Sequence, residues 1–323
     1  MAESKLKLVF GGGSIDSRFG FDSPDKLQHF LDTLERLGIK TIDTAFIYGD
    51  SEELLGKQNA ASRFVIDTKI PGGISPGSST KENVIQIVNE SLRRLNTKSI
   101  DILYQHAPDP EVPLEETLAG INELYQAGAF KRFGISNFNA SDVEEVIRIA
   151  KAHDYVLPTV YQGNYNAIAR RTETELFPVL RKHKIAFYAY SPSAGGFLAK
   201  TSDIFRDGGG TGRWDKDSQY GKIYHSLYNK ASLLDALDTW NETAKANGIS
   251  GIEMAYRWIA RHSQLDATLG DAVIVGAGDV KQLQETVAWI EKGPLDNEMA
   301  KKIDSIWGGI ASDTPLNNIN SGA

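Results

Sequence analysis

Strand-like and helix-like patterns alternate from the first residues of the chain into its last third, and no other feature limits the fold as strongly. Residues 6–10, 41–45, 64–69 and 100–106 are short, nearly continuous apolar runs, the form of strands buried on both faces. Helical patterns fill the spaces, at 24–37 before Gly38 and at 81–95. A helix over 114–127 stops at Gly128, a short fifth strand covers 131–135, and Ser141 is the expected cap of a helix reaching about His153. Residues 156–162 read as the sixth strand, 172–182 as one helix and 185–190 as the seventh strand. The eighth, 272–275, comes late. Some eighty residues precede it, with a Gly-rich part at 207–212 and helical patterns at 230–246 and 251–261. A segment of that length inside a compact domain is usually functional, often a lid.

The reading is an α/β chain folded as a (β/α)8 TIM barrel, with a long loop and extra helix after strand seven and a C-terminal helix near 295–307. It treats 1–323 as a single domain, since barrels of this kind routinely exceed 200 residues. A doubly wound open sheet is the competing architecture. Eight strand–helix units favour the barrel, as does Gly11-Gly12-Gly13, which lacks the GxGxxG spacing of a dinucleotide fingerprint. The polar end, 312–323, is expected to be partly disordered.

The net charge of −7 speaks against a nucleic-acid or anionic-membrane surface, though a local basic pocket for a phosphate is compatible with it. With no cysteine there are no disulfides, thiolate nucleophiles or cysteine metal sites, and the six histidines are scattered without metal-binding spacing, so no metal is expected. The start lacks the apolar segment of a signal peptide and no stretch approaches 18 apolar residues, which makes the cytoplasm the expected setting.

Three strand ends carry unusual chemistry. Asp43 closes the second strand and Tyr48 follows beside Gly49, while the third strand ends in Lys69 and the fourth in His106. A buried strand has no structural need to end in lysine or histidine, and a barrel brings its strand ends to one rim. A free phenol is a poor acid at neutral pH, but a neighbouring ammonium stabilises phenolate. Lys69 would supply that charge, Asp43 would hold the lysine, and His106 would share the proton or orient a carbonyl oxygen. Taken singly, these residues could be an ion pair, a core tyrosine and a packed imidazole; together they form a set for protonating an oxygen that gains charge as hydride reaches its carbon.

Asp-Thr-Ala-x-x-Tyr-Gly at 43–49, Lys69, His106 and Gly-Ile-Ser-Asn-Phe at 134–138 resemble the aldo-keto reductase superfamily over nearly the whole chain. The aflatoxin-aldehyde and succinic-semialdehyde reductase branch is similar at 165–167, 173–178, 187–190, 194–196, 262–265 and 270–274. The resemblance implies NADPH as cofactor, a small-molecule aldehyde or ketone as substrate, Tyr48 as proton donor and Asp43, Lys69 and His106 as its partners. It implies that Ser136, Asn137 and Gln162 hold the nicotinamide amide, that Tyr190 stacks on the nicotinamide with Ser191 beside the pyrophosphate, and that Arg213 reaches the phosphates. The segment 276–285, with Gly276, Gln282 and Glu285, matches the adenosine-phosphate site at a helix start. Simpler roles for these residues are turn capping, a core aromatic and a solvent-facing arginine.

The chain departs from the family pattern twice. The common Lys-Ser…Arg phosphate signature is replaced by Gly276, Ala277 and Gln282, and Gly278 and Asp279 stand where the branch has serines. The terminus, Asn317-Asn318-Ile319-Asn320, lacks the arginine with which the branch grips acidic substrates. Two other functions fit parts of the set: an aldolase with a Schiff base on Lys69, and a reductase-shaped binding subunit like the potassium-channel β subunits. A homodimer is a possible assembly.

Overall fold

The computed structural model describes residues 5–207 and 209–319. Eight parallel strands close into a barrel in sequence order: β1 (Lys7–Gly11), β2 (Thr41–Asp43), β3 (Val65–Ile70), β4 (Ile100–Gln105), β5 (Phe130–Ser136), β6 (Pro158–Asn164), β7 (Ala186–Tyr190) and β8 (Ala272–Val275). Closure is made by β1 against β8, with Lys7 opposite Ala272 and Phe10 opposite Val275. The open-sheet alternative is thereby excluded.

Side chains alternate across each strand. On β3, Ile66 and Ile70 join the outer core shared with the helices, so Asp67 and Lys69 face the barrel axis. The apolar part of the interior is a compact set that includes Val9, Ile102, Tyr104, Val160, Tyr188 and Ile274. Gly134 makes room there, because a Cβ at that position would overlap the Tyr104 ring.

The helices follow from local sequence. In α1 (Pro24–Arg36) proline occupies the first turn, where its missing N–H costs nothing, and Leu27, Phe30, Leu31 and Leu34 form one buried stripe. Phe30 packs against Phe10 and Phe21 with ring centroids 5.0 and 5.1 Å apart. Then come α2 (Ser51–Lys57), α3 (Lys81–Arg94), α4 (Leu114–Gln126) and α5 (Ala140–Ala152). The cap of α5 is Asn139, in a reciprocal capping box with Asp142, and Ser141 lies inside the helix. The expected single helix at 172–182 is two, α6 (Thr172–Glu175) and α7 (Phe177–Lys182), broken at Leu176. Pro178 explains the break: it has no N–H for the preceding turn.

The segment after β7 holds α8 (Ser202–Arg206), α9 (Gln219–Tyr228), α10 (Ala231–Ala246) and α11 (Gly251–Arg261), more helix than the sequence patterns suggested. After β8 come α12 (Val280–Glu291), packed on α11, and α13 (Asn297–Ile310), packed on α10. Part of the end expected to be disordered is ordered: 311–313 form a helical turn, and Thr314 and Asn317 are buried. Residues 320–323 of that expectation lie outside the described residues. Among the described residues no helix is long and apolar enough to cross a membrane.

Candidate active site

Beyond β2 the chain stays tied to β3: Thr44 N–H donates to Asp67 C=O at 2.8 Å and Phe46 N–H to Lys69 C=O at 3.1 Å. A turn closed by Tyr48 N–H to Ala45 C=O at 3.0 Å then brings Tyr48 over the barrel mouth. Gly49 has φ +55°, and a side chain there would run into the Asp16 carboxylate of the preceding loop, so the residue after the tyrosine must be glycine.

Lys69 is fully buried. Its Nζ donates to Asp43 Oδ2 at 2.6 Å and to Thr44 C=O at 2.6 Å, and lies 4.9 Å from the centre of the Tyr48 ring. Burial by itself would lower the lysine pKa, but the Asp43 carboxylate, with smaller help from Tyr48, more than offsets this, and the ammonium is held above its usual range. Gln162 Nε2 donates to Asp43 Oδ1 at 2.9 Å, so both carboxylate oxygens are engaged.

His106 sits just past β4, its backbone N–H on Ile70 C=O at 3.0 Å. The imidazole meets the Tyr48 ring edge-on at 5.7 Å. Burial first, then the Lys69 charge, holds its pKa well below the ordinary histidine value, so the ring is neutral at neutral pH. A neutral imidazole can orient an oxygen through a hydrogen bond without competing as the acid.

Four more of the expected cofactor residues join Gln162 on the same rim. Asn137 Nδ2 donates to His106 C=O at 2.8 Å and to Ser136 Oγ at 2.9 Å, and Tyr190 hydroxyl donates to Asn137 Oδ1 at 2.8 Å. Asn137 and Ser191 both have left-handed backbones, φ +62° and +54°. Such conformations at strand ends concentrate at functional sites. The tail completes this side: Asn318 N–H donates to the Tyr190 hydroxyl at 3.2 Å and its Nδ2 to Ser191 Oγ at 3.4 Å. Asn164 Nδ2 and Asn318 Oδ1 are buried here without protein partners, a donor and an acceptor of the kind a carboxamide requires.

The β8–α12 turn is a separate part. Asp279 caps α12, accepting from Gln282 N–H at 2.8 Å, while Gln282 Oε1 accepts from Gly278 N–H at 2.7 Å. Glu285 lies 3.9 Å from Lys281 on the exposed first turns, and nothing fills the space where Gly276 lacks a side chain. Ser14 Oγ donates to Ala277 C=O at 2.8 Å, tying this turn to the loop after β1. Arg213 stands in a short helical turn, Gly212–Trp214, and its side chain lies outside the described residues.

Asp67, Asn164 and Asn318 were missed in the sequence. Asp67 carried the signal already used for Lys69, an ionisable residue inside an apolar strand; Asn318 carried none, because nothing local says where a tail will lie.

The residue profile described as "Aldo/keto reductase family" matches residues 7–308. The chain is similar to the protein named oxidoreductase sirO of Leptosphaeria maculans, 38% identical over 95% of each chain. It is similar to aflatoxin B1 aldehyde reductase member 4 of Homo sapiens, 37% identical over 98% of each. Aflatoxin B1 aldehyde reductase member 2 of Rattus norvegicus is 37% identical over 87% of this chain and 80% of its own.

Proposed function

The chain belongs to the aldo/keto reductase family and is an NAD(P)H-dependent oxidoreductase acting on carbonyl compounds; from that premise we propose that it reduces an aldehyde or ketone to the alcohol with Tyr48 as proton donor and NADPH as the preferred cofactor. The observation that supports this reading best is the fully buried Lys69 ammonium 4.9 Å from the Tyr48 ring. A fixed cation beside a phenol favours the phenolate that remains once the proton has left, and low surrounding polarity strengthens the effect.

The bound nicotinamide would supply hydride to the carbonyl carbon. The chain's own residues do the rest. Tyr48 gives its hydroxyl proton to the carbonyl oxygen as charge builds there. Lys69 stabilises the phenolate, and Asp43 with Gln162 fixes Lys69 in place. Neutral His106 orients the oxygen. Residues suited to hold the cofactor are Ser136, Asn137, Gln162 and Tyr190 at the nicotinamide end, with the unpartnered amide atoms of Asn164 and Asn318 beside them. Ser191, Arg213 and the turn 276–285 would serve the phosphates, the last through the start of α12 beside its Asp279 cap. A small-molecule carbonyl substrate and a cytoplasmic setting belong to the same proposal.

Tyr48→Phe tests it. The change removes one hydroxyl, and general acid catalysis is worth about 10²–10⁴-fold. The expected result is a loss of that order in kcat/KM for 4-nitrobenzaldehyde with NADPH dissociation nearly unchanged. Retention of more than about half the turnover overturns the assignment.

A further inference from the structure

The roles given above leave one buried acid unused. Asp67 stands two residues before Lys69 on β3 and faces the barrel axis directly opposite Asp43 in the β2–β3 pairing. It has no exposed surface. Its Oδ1 accepts one hydrogen bond, from Ile102 N–H at 3.1 Å, and its Oδ2 has no partner. The charged and titratable groups around it come from every side of the barrel. Lys7 on β1 has its Nζ 3.3 Å from the Tyr188 hydroxyl of β7, and Arg132 on β5 is paired with Asp101 on β4. Level with it lies Asp43 on β2, bound to Lys69 one layer above, and the ring of Tyr104 on β4 is 5.9 Å from Lys69 Nζ. Gln162 on β6 gives its Nε2 to Asp43. The two lower cations have their hydrogen-bond partners elsewhere and favour an Asp67 charge less than burial and the Asp43 charge oppose it, so an ionised Asp67 would put a second carboxylate beside Asp43.

We propose that Asp67 is a positioning residue for carbonyl reduction: its carboxyl stays protonated beside Asp43 and beneath Lys69, leaving the lysine charge to act on Tyr48, and its ionisation in alkaline solution turns the reduction down. This rests on Tyr48 being the proton donor. A negative charge below Lys69 favours the neutral phenol over phenolate and so raises the cost of proton departure. Burial, and after it the Asp43 charge, pushes the Asp67 carboxyl up to about 8, which sets the range of the effect.

The test is the pH dependence of kcat/KM for 4-nitrobenzaldehyde at saturating NADPH, from about pH 6 to about pH 10, in wild type, Asp67→Asn and Tyr48→Phe. Wild type should fall about tenfold by a pH one unit above the Asp67 titration. Asp67→Asn should equal wild type near neutrality and hold its rate through that range. Superimposable profiles for the two overturn the proposal, because a merely structural residue leaves the profile's shape alone. Should Asp67→Asn not fold, infrared difference spectra of wild type replace it. A protonated-carboxyl band that disappears in step with kcat/KM supports the proposal; no such band near neutral pH overturns it. Failure of the underlying reading is distinct: Tyr48→Phe would then stay active whatever Asp67 does.

Discussion

Replacing Asp67 by asparagine should stabilise the protein, and by an amount that depends on pH. In the unfolded chain this carboxyl titrates near 3.8, and in the fold near 8. A folded pKa above the unfolded one means that folding takes up a proton between the two values. Stability is therefore highest below the unfolded pKa, falls as pH rises through the window, and levels off above the folded value. Four units at about 1.36 kcal/mol each give roughly 5 kcal/mol as the upper limit of the cost at pH 8. Asparagine keeps the shape and an oxygen for the Ile102 N–H, and it has no proton to take up. Urea unfolding at about pH 5, 6, 7 and 8 reads the difference as a shift in midpoint at constant slope. The advantage of Asp67→Asn should grow with each step and flatten beyond about pH 8. A difference independent of pH, or a variant less stable than wild type throughout, would refute the claim that the buried acid is neutral.

Lys69→Met should abolish most turnover and also lower stability by about 3–5 kcal/mol, since Asp43 would remain buried without its ammonium; thermal melting read alongside the rate separates the two losses. Because His106 is already neutral, kcat/KM should show no acid limb near the ordinary histidine value of about 6.5, and a limb there that vanishes in His106→Gln would show the imidazole titrating in the free enzyme. Substrates bearing a carboxylate should hold no advantage over neutral aromatic or α-dicarbonyl compounds, as the tail has asparagines where a gripping arginine is absent; a strong kcat/KM preference for succinic semialdehyde would reveal another cation. Arg213→Ala should weaken NADPH more than NADH, and Asp279→Ser, which keeps a cap for α12 while removing a negative charge, should widen the NADPH preference. Dissociation constants for both cofactors check this pair, and equal losses in Arg213→Ala would remove that residue from the phosphate site.

The barrel was legible because a parallel strand covered on both faces writes itself as a continuous apolar run, as at 64–69 and 185–190. The meeting of Asp43, Lys69 and His106 was legible for the converse reason: each interrupts or ends such a run where burial alone would select against it. Local chemistry was sometimes present and misread. Pro178 marked the break between α6 and α7, and Asn139 with Asp142 is as complete a capping pair as sequence can offer. The tail was not legible at all, since Asn318 reaches Tyr190 across 128 positions of chain. Asp67 lies between these cases: its burial, the larger cause of its raised pKa, could be read from the strand, but the further push from Asp43 depends on the register of β2 on β3.

The same geometry bears on the aldolase alternative. A Schiff-base lysine must surrender its proton and offer a lone pair to an incoming carbonyl, which calls for an amine whose pKa is lowered by desolvation or by a neighbouring cation. Lys69 has the desolvation but not the outcome. The Asp43 carboxylate at 2.6 Å holds its proton on, and the carbonyl of Thr44 takes a second N–H at the same distance. Attack through Nζ would require breaking both bonds inside a site with no exposed surface at that residue, leaving Asp43 charged and reduced to the Gln162 hydrogen bond. What disqualifies the lysine as a nucleophile suits it to electrostatics: a charge that cannot leave, rotate or be screened exerts its full effect on the adjacent phenol. With Asp67 neutral, the pair Asp43–Lys69 has no net charge, yet its positive end points toward Tyr48. A second ionised acid on the floor would cancel that end, which ties the chemistry of the rim to the protonation of a residue one layer beneath it.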